Sequence, residues 1–162
     1  MTRADGMSQR TRRRFLVETA ALAGAAGPAL RLDSDPAGAT PASMQAAIRN
    51  VAGEAKLNKG RVKIDVPALI ENGNAVPLTV SCESPMTQED HVKALHVFTE
   101  KNPQPNVIGV RLGPRAGRAS VSTRIRLADT QKIVAVAQMS DGSFWSDEVE
   151  VIVTLAACLE GA

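Results

Sequence analysis

Two cysteines, two histidines and a run of arginines are the side chains here whose types and spacing suit chemistry. Cys158 stands in VTLAACLEGA, after a strand-like run and among small residues. Strand packing is expected to end near Leu155, so residues 154–158 should project beyond the folded part. At about 3.5 Å per extended residue, the thiol then reaches roughly 10 Å past the last ladder position. No Lys, Arg or His neighbours it in sequence, and Glu160 would raise its pKa rather than lower it. That pattern is not a self-activated nucleophile. It is a handle that another protein's active site could admit and deprotonate. The alternative is a non-covalent binding or structural module in which this cysteine is incidental.

The other candidates read more quietly. Cys82 continues an apolar alternation through Val76, Leu78 and Val80, where a free thiol behaves as a small hydrophobe. In an oxidising compartment a Cys82–Cys158 disulfide is also open, provided the Cα atoms come within about 7 Å. His91 and His96 lack the Cys or carboxylate pattern that completes a metal site, and read as structural or surface residues. Glu89 with Asp90, and Asp147 with Glu148, are expected in solvated loops. GPRAGR sets Arg111, Arg115 and Arg118 around a glycine-rich bend, a geometry open to a small oxyanion. Arg118, Arg124 and Arg126 share the outward side of the next strand and offer a stripe to an acidic partner. No phosphate loop, nucleophile elbow or zinc-protease motif occurs. Without a convergent acid, base or metal set, an enzyme is the weaker reading.

The elements that must hold these residues follow from periodicity. Thr40 and Pro41 supply an N-cap and a first-turn proline for a short helix. Met44, Ala47, Ile48 and Val51 would share its buried face, and Gly53 or Gly60 would end it. After Gly60 the period becomes two. The strand-like runs are RVKIDVPALI, AVPLTVSC, VKALHVFT, VIGVRLG, RASVSTRIRLA, KIVAVAQM and FWSDEVEVIVTLA. In the fifth run Val121, Thr123, Ile125 and Leu127 are expected inward. In the last, Val149, Val151, Val153 and Leu155 are. ENGN is a turn signal, SPMTQED a polar break with room for one helical turn, and NPQPN a proline loop. About seven short strands separated by turn signals predict an all-β, immunoglobulin-like antiparallel sandwich.

The residues before this domain carry another signal. Arg12, Arg13 and Arg14 precede the moderately apolar stretch FLVETAALAGAAGPAL, and Ala37, Gly38 and Ala39 offer a small-x-small cleavage site. Basic, apolar, then small is the order of a secretory signal, and the paired arginines fit the twin-arginine type. The stretch is too short and too diluted for a membrane-spanning helix. Expected organisation is therefore a signal peptide over 1–39, a sandwich over 40–155 and an arm over 156–162, in a periplasmic protein. Removing 1–39 takes away six arginines and four acids and leaves thirteen basic and thirteen acidic side chains. A near-neutral chain with 2% aromatics gives no case for nucleic acid or an anionic membrane as partner.

Several stretches together resemble the SoxY family, the sulfur-carrier subunits of periplasmic thiosulfate oxidation. They are VKIDVPALIENGNAVPLTVSCESPMT, VKALHVFTEKNPQPNV and GPRAGRASVSTRIRLADTQKIVAVAQMSDGSFW, with a signal before them and a cysteine arm after. The resemblance implies an immunoglobulin-like carrier without catalysis or cofactor of its own. It implies sulfur intermediates held covalently on Cys158 while enzymes act in turn, and a SoxZ-like companion subunit. The arm departs from the family pattern, Gly-Gly-Cys-Gly-Gly. Here Cys158 is flanked by Ala156, Ala157, Leu159 and Glu160, closer to a SoxY-related group with Ala-Ala-Cys-Ile-Glu. Alanine largely forbids the positive φ that glycine allows, and Leu159 asks for an apolar pocket. An enzyme mouth shaped for glycine arms should reject this one, so the partner enzyme is expected to differ.

Overall fold

The computed structural model describes residues 39–156. The expected signal peptide, and Ala157, Cys158, Leu159 and Glu160 of the arm, lie outside the described residues.

The chain enters through helix α1, Pro41–Ala52. The Ser43 N–H donates to Thr40 Oγ1 at 3.2 Å, and the Thr40 N–H donates back to Ser43 Oγ at 2.7 Å. This reciprocal box satisfies amides that the first turn leaves without partners. Gly53, at φ 61°, ends the helix and donates its N–H to Arg49 O. Met44, Ile48 and Ala52 are buried, while Ala47 and Val51 are half-buried beside them.

Nine strands follow: β1 Leu57–Asn58, β2 Val62–Asp65, β3 Leu69–Ile70, β4 Val76–Cys82, β5 Val92–Thr99, β6 Asn106–Arg111, β7 Ala119–Ile125, β8 Gln131–Met139 and β9 Phe144–Val153. One sheet has the order β1-β9-β8-β5-β6, with β3 also on β9; the other has the order β2-β4-β7. The two pack face to face as the expected sandwich, and the seven longer strands are those the alternation predicts. β1 and β3 add two short parallel pairings on β9.

Four local expectations are corrected. RVKIDVPALI is two strands, because Pro67 has no N–H for a ladder. The chain leaves the smaller sheet after Asp65 and joins the larger at Leu69. SPMTQED forms bends and no helical turn. Asp147 and Glu148 lie within β9, not in a loop. Leu155 is 61% exposed, because pairing in β9 stops at Val153 and no strand lies across from it.

The main core fills the space between the sheets with Val76, Leu78, Val80, Leu95, Val97, Leu127, Ile133 and Val151 among others. A second core sits under α1, where Met44, Ile48 and Ala52 meet Phe98, Val134, Val136 and Phe144. The larger sheet is thus apolar on both faces, which explains the nearly unbroken burial of β8. Each large side chain so buried contributes about 1.5–3 kcal/mol in transfer free energy.

Candidate functional site: the root of the arm

β9 delivers the arm, and its last residues are tied down from two sides. The Val153 N–H donates to Thr130 Oγ1 at 3.0 Å. The Thr154 N–H donates to Ile70 O at 2.9 Å, and the Gly73 N–H donates to Leu155 O at 2.8 Å. The turn receiving these bonds is itself held, because the Leu127 N–H donates to Gly73 O at 2.8 Å. Main-chain hydrogen bonding therefore fixes the backbone through Leu155, one residue before the expected start of the arm. Ala156 is exposed and belongs to no strand. Cys158 follows Leu155 by three residues, a tether of about 10 Å when extended.

The surface at this root is apolar. The large hydrophobic side chains standing exposed among the described residues are Leu69 at 58%, Ile152 at 55% and Leu155 at 61%. Leu69 and Ile152 face each other in the β3–β9 register. Alternation in the sequence does not reveal this grouping, because it places Leu69 in a continuous strand and Leu155 in the core. The signal that could have found it is Pro67, which forces the break and sends Leu69 to β9.

The arginines fall into two places. Arg124 and Arg126 line an open groove of about 510 Å³ with Asn102, Val107, Ile108 and Thr123. Arg115 and Arg118 do not line it. The groove exists because β6 and β7 are the free edges of their sheets. Their middles stay apart, so Thr123 is exposed and Val121 half-buried where alternation predicts both inside. The bend around Arg115 is a single 3-10 turn, Pro114–Ala116, whose Ala116 N–H donates to Gly113 O at 2.9 Å. That amide is not available to an oxyanion. Arg111 ends β6 beside His96, which pairs through Gly109 in the same strand.

Cys82 is a free thiol, 6% exposed, on the inward face of β4. Burial pushes its pKa up to about 11; Arg61 opposes that shift, while Glu83 and Asp90 add to it. It is a core residue and no nucleophile at neutral pH. His96 stacks on Phe98 with ring centroids 6.1 Å apart, and burial, aided by Arg111, holds its pKa below the ordinary value. His91 sits elsewhere, its N–H donating to Ser140 Oγ at 3.1 Å. Asp147 Oδ2 accepts from the Ile64 N–H, and Asp90 and Glu148 pair with Arg61 and Lys59. Among the described residues no group of three or more His, Cys, Asp or Glu side chains converges as a metal site would require. No helix among them is long and apolar enough to cross a membrane.

The model of the family described as sulfur oxidation protein SoxY matches residues 48–158, a span that ends on Cys158. The chain belongs to the SoxY family. The structure of the sulfur carrier protein SoxY from Chlorobium limicola f thiosulfatophilum is 30% identical, with a TM-score of 0.60. That match covers 70% of this chain and 98% of the SoxY chain. The sandwich alone is shared more widely. A superoxide reductase (neelaredoxin) from Ignicoccus hospitalis gives a TM-score of 0.52 at 16% identity, covering 71% of this chain and 94% of its own. A putative superoxide reductase from Thermotoga maritima gives 0.50 at 19% identity, over 60% and 87%. No curated protein matches this chain. For a SoxY-family chain, the tied strand end with a cysteine three residues beyond is the feature of chemical interest.

Proposed function

We propose that this protein is a periplasmic sulfur carrier that holds a sulfur intermediate covalently on Cys158 and presents it to separate enzymes. Supporting this most directly is the family match that runs to Cys158 and no further, on a sandwich whose backbone is hydrogen-bonded to within three residues of that thiol. A carrier needs a rigid body and a short mobile handle. It needs no base of its own, because the enzyme it visits supplies one. The chain is exported by the twin-arginine route, with the signal over 1–39 removed, and works beside a SoxZ-like subunit. Ala156, Ala157, Leu159 and Glu160 make its arm broader than a glycine arm, with one large apolar and one charged side chain beside the cysteine, and so set which enzymes accept it. Arg124 and Arg126, in their groove, are contacts for a protein partner.

The test is loading followed by mass spectrometry of the signal-cleaved protein. Tetrathionate is the reagent: a thiolate attacks one of its inner sulfurs, the central S–S bond breaks, thiosulfate leaves and the thiol gains –S–SO₃⁻. Cys158 is expected to take one such group and Cys82 none. Protein purified from its own cell should bear sulfur adducts on Cys158, and Cys158→Ser should bear none. Protein that carries no adduct from the cell, and whose Cys158 refuses the reagent when folded, would mean that the cysteine is incidental.

A further inference from the structure

The carrier reading leaves open how an enzyme that must reach Cys158 holds the rest of the protein, and the root of the arm bears on this. Leu155 is the last of the described residues whose backbone is bonded to the domain, through its carbonyl and the Gly73 N–H. From there to Cys158 is three residues, about 10 Å at full extension. An enzyme group that touches the thiol sits inside a mouth, so the rim of that mouth comes within the same short distance of the domain. The domain surface there is not neutral ground. Leu69 and Ile152 stand side by side across the β3–β9 pairing, each more than half exposed, with exposed Leu155 at the strand end. Elsewhere among the described residues, large apolar side chains are buried or half-buried. On the same outward side of β9, Glu148 and Glu150 precede Ile152 and are exposed. An apolar centre with a charged border is the usual layout of a protein contact.

We infer that Leu69, Ile152 and Leu155 form the docking surface on which the enzyme acting at Cys158 seats the rim of its thiol-admitting mouth. This rests on the carrier reading above. The arm presents the group, and the three side chains hold the body against the enzyme. The partner's rim is apolar where it meets these three side chains, and polar around them, because Glu148 is paired with Lys59 and Glu150 lies opposite Lys132. Recognition is thereby divided: arm residues fit the mouth and root residues fit the rim.

The experiment uses signal-cleaved protein loaded on Cys158 with labelled –S–SO₃⁻. The enzyme is the one purified from the source cell by following release of that label. Wild type is compared with Leu69→Gln, Ile152→Gln and the double variant. The free peptide 154–162, loaded in the same way, serves as the reference with an arm and no domain. The double variant should raise KM at least about ten-fold with kcat within about two-fold, moving toward the peptide. Its rate of alkylation at Cys158 by iodoacetamide should not change, which shows the arm itself intact. Unchanged KM in correctly folded variants, or a peptide as good as the whole protein, overturns the docking surface while leaving the carrier standing. Altered self-association or altered pairing with a SoxZ-like subunit, with KM unchanged, assigns the patch to those contacts and also overturns it. If no fraction releases label and protein from the cell bears no adduct, the carrier reading fails and takes this inference with it.

Discussion

Cys82 is kept unreactive by its environment. Cys82 is enclosed by apolar neighbours on β4, and ionising it there would place an anion in the core. Its folded pKa is about 11 against an ordinary 9.0. Above pH 9 the unfolded chain loses this proton while the folded one keeps it, so stability falls with rising pH between the two values. Two units bound the loss at about 2–3 kcal/mol by pH 11. Urea midpoints measured from pH 8 to 10.5 should therefore decline. Cys82→Ala should flatten that decline while costing about 1–2 kcal/mol at pH 8 through a small cavity. His96 works in the other direction. Its pKa is lowered by burial and by Arg111, so below the ordinary value of 6.5 the unfolded chain takes up a proton that the folded chain refuses. Stability should drop as pH falls from 6.5 toward the folded value, and His96→Gln should lose that drop. Equal acid profiles for the two proteins would show that another group sets it.

The end of β9 is held by other means than its middle. β9 is long because β8 pairs with it along most of its length, and β1 and β3 cover its other edge in two short pieces. Where pairing stops, Thr130 and the turn at Gly73 take over the hydrogen bonds. Thr130 is therefore an anchor for the arm and not a loop residue of no account. Thr130→Val should leave the buried Val153 N–H without a partner, at a cost of about 1–2 kcal/mol. Hydrogen exchange at Val153 and Thr154 should rise more than at the centre of β8. A uniform change across the sheet would mean that the end of β9 is held by the sandwich as a whole. The helix illustrates a simpler case. Its cap, its proline and its terminal glycine all sit in sequence where the structure uses them.

At the scale of the whole molecule, two further outcomes follow from the proposed function. Replacing Arg12 and Arg13 by lysine should leave unprocessed precursor in the cytoplasm, read by fractionation and immunoblot. Normal export of that variant would remove the twin-arginine assignment. Changing Ala156, Ala157, Leu159 and Glu160 to glycine should slow release by the protein's own enzyme at least about ten-fold. The same change should improve acceptance by enzymes that serve glycine arms. Equal rates for both arms with both enzyme sets would show that these four residues do not gate recognition.

Periodicity and punctuation determined most of this protein by themselves. The seven alternating runs mark the seven longer strands, because side-chain period two is a local property and a half-buried sheet face enforces it residue by residue. The helix cap and the inward Cys82 were legible for the same reason. The family resemblance was likewise carried by local stretches. What alternation could not decide is which faces meet. Thr123 alternates correctly yet is exposed, because β6 and β7 are edges that do not close on each other. Leu155 alternates correctly yet has no strand opposite it. Leu69 reads as the continuation of β2 yet pairs with Ile152, some eighty residues away. Burial is set by what lies across a gap, and that is fixed only when the sheets come together. The thiol's position beyond the last strand was therefore written in the sequence, and the apolar surface at its root was made by tertiary structure.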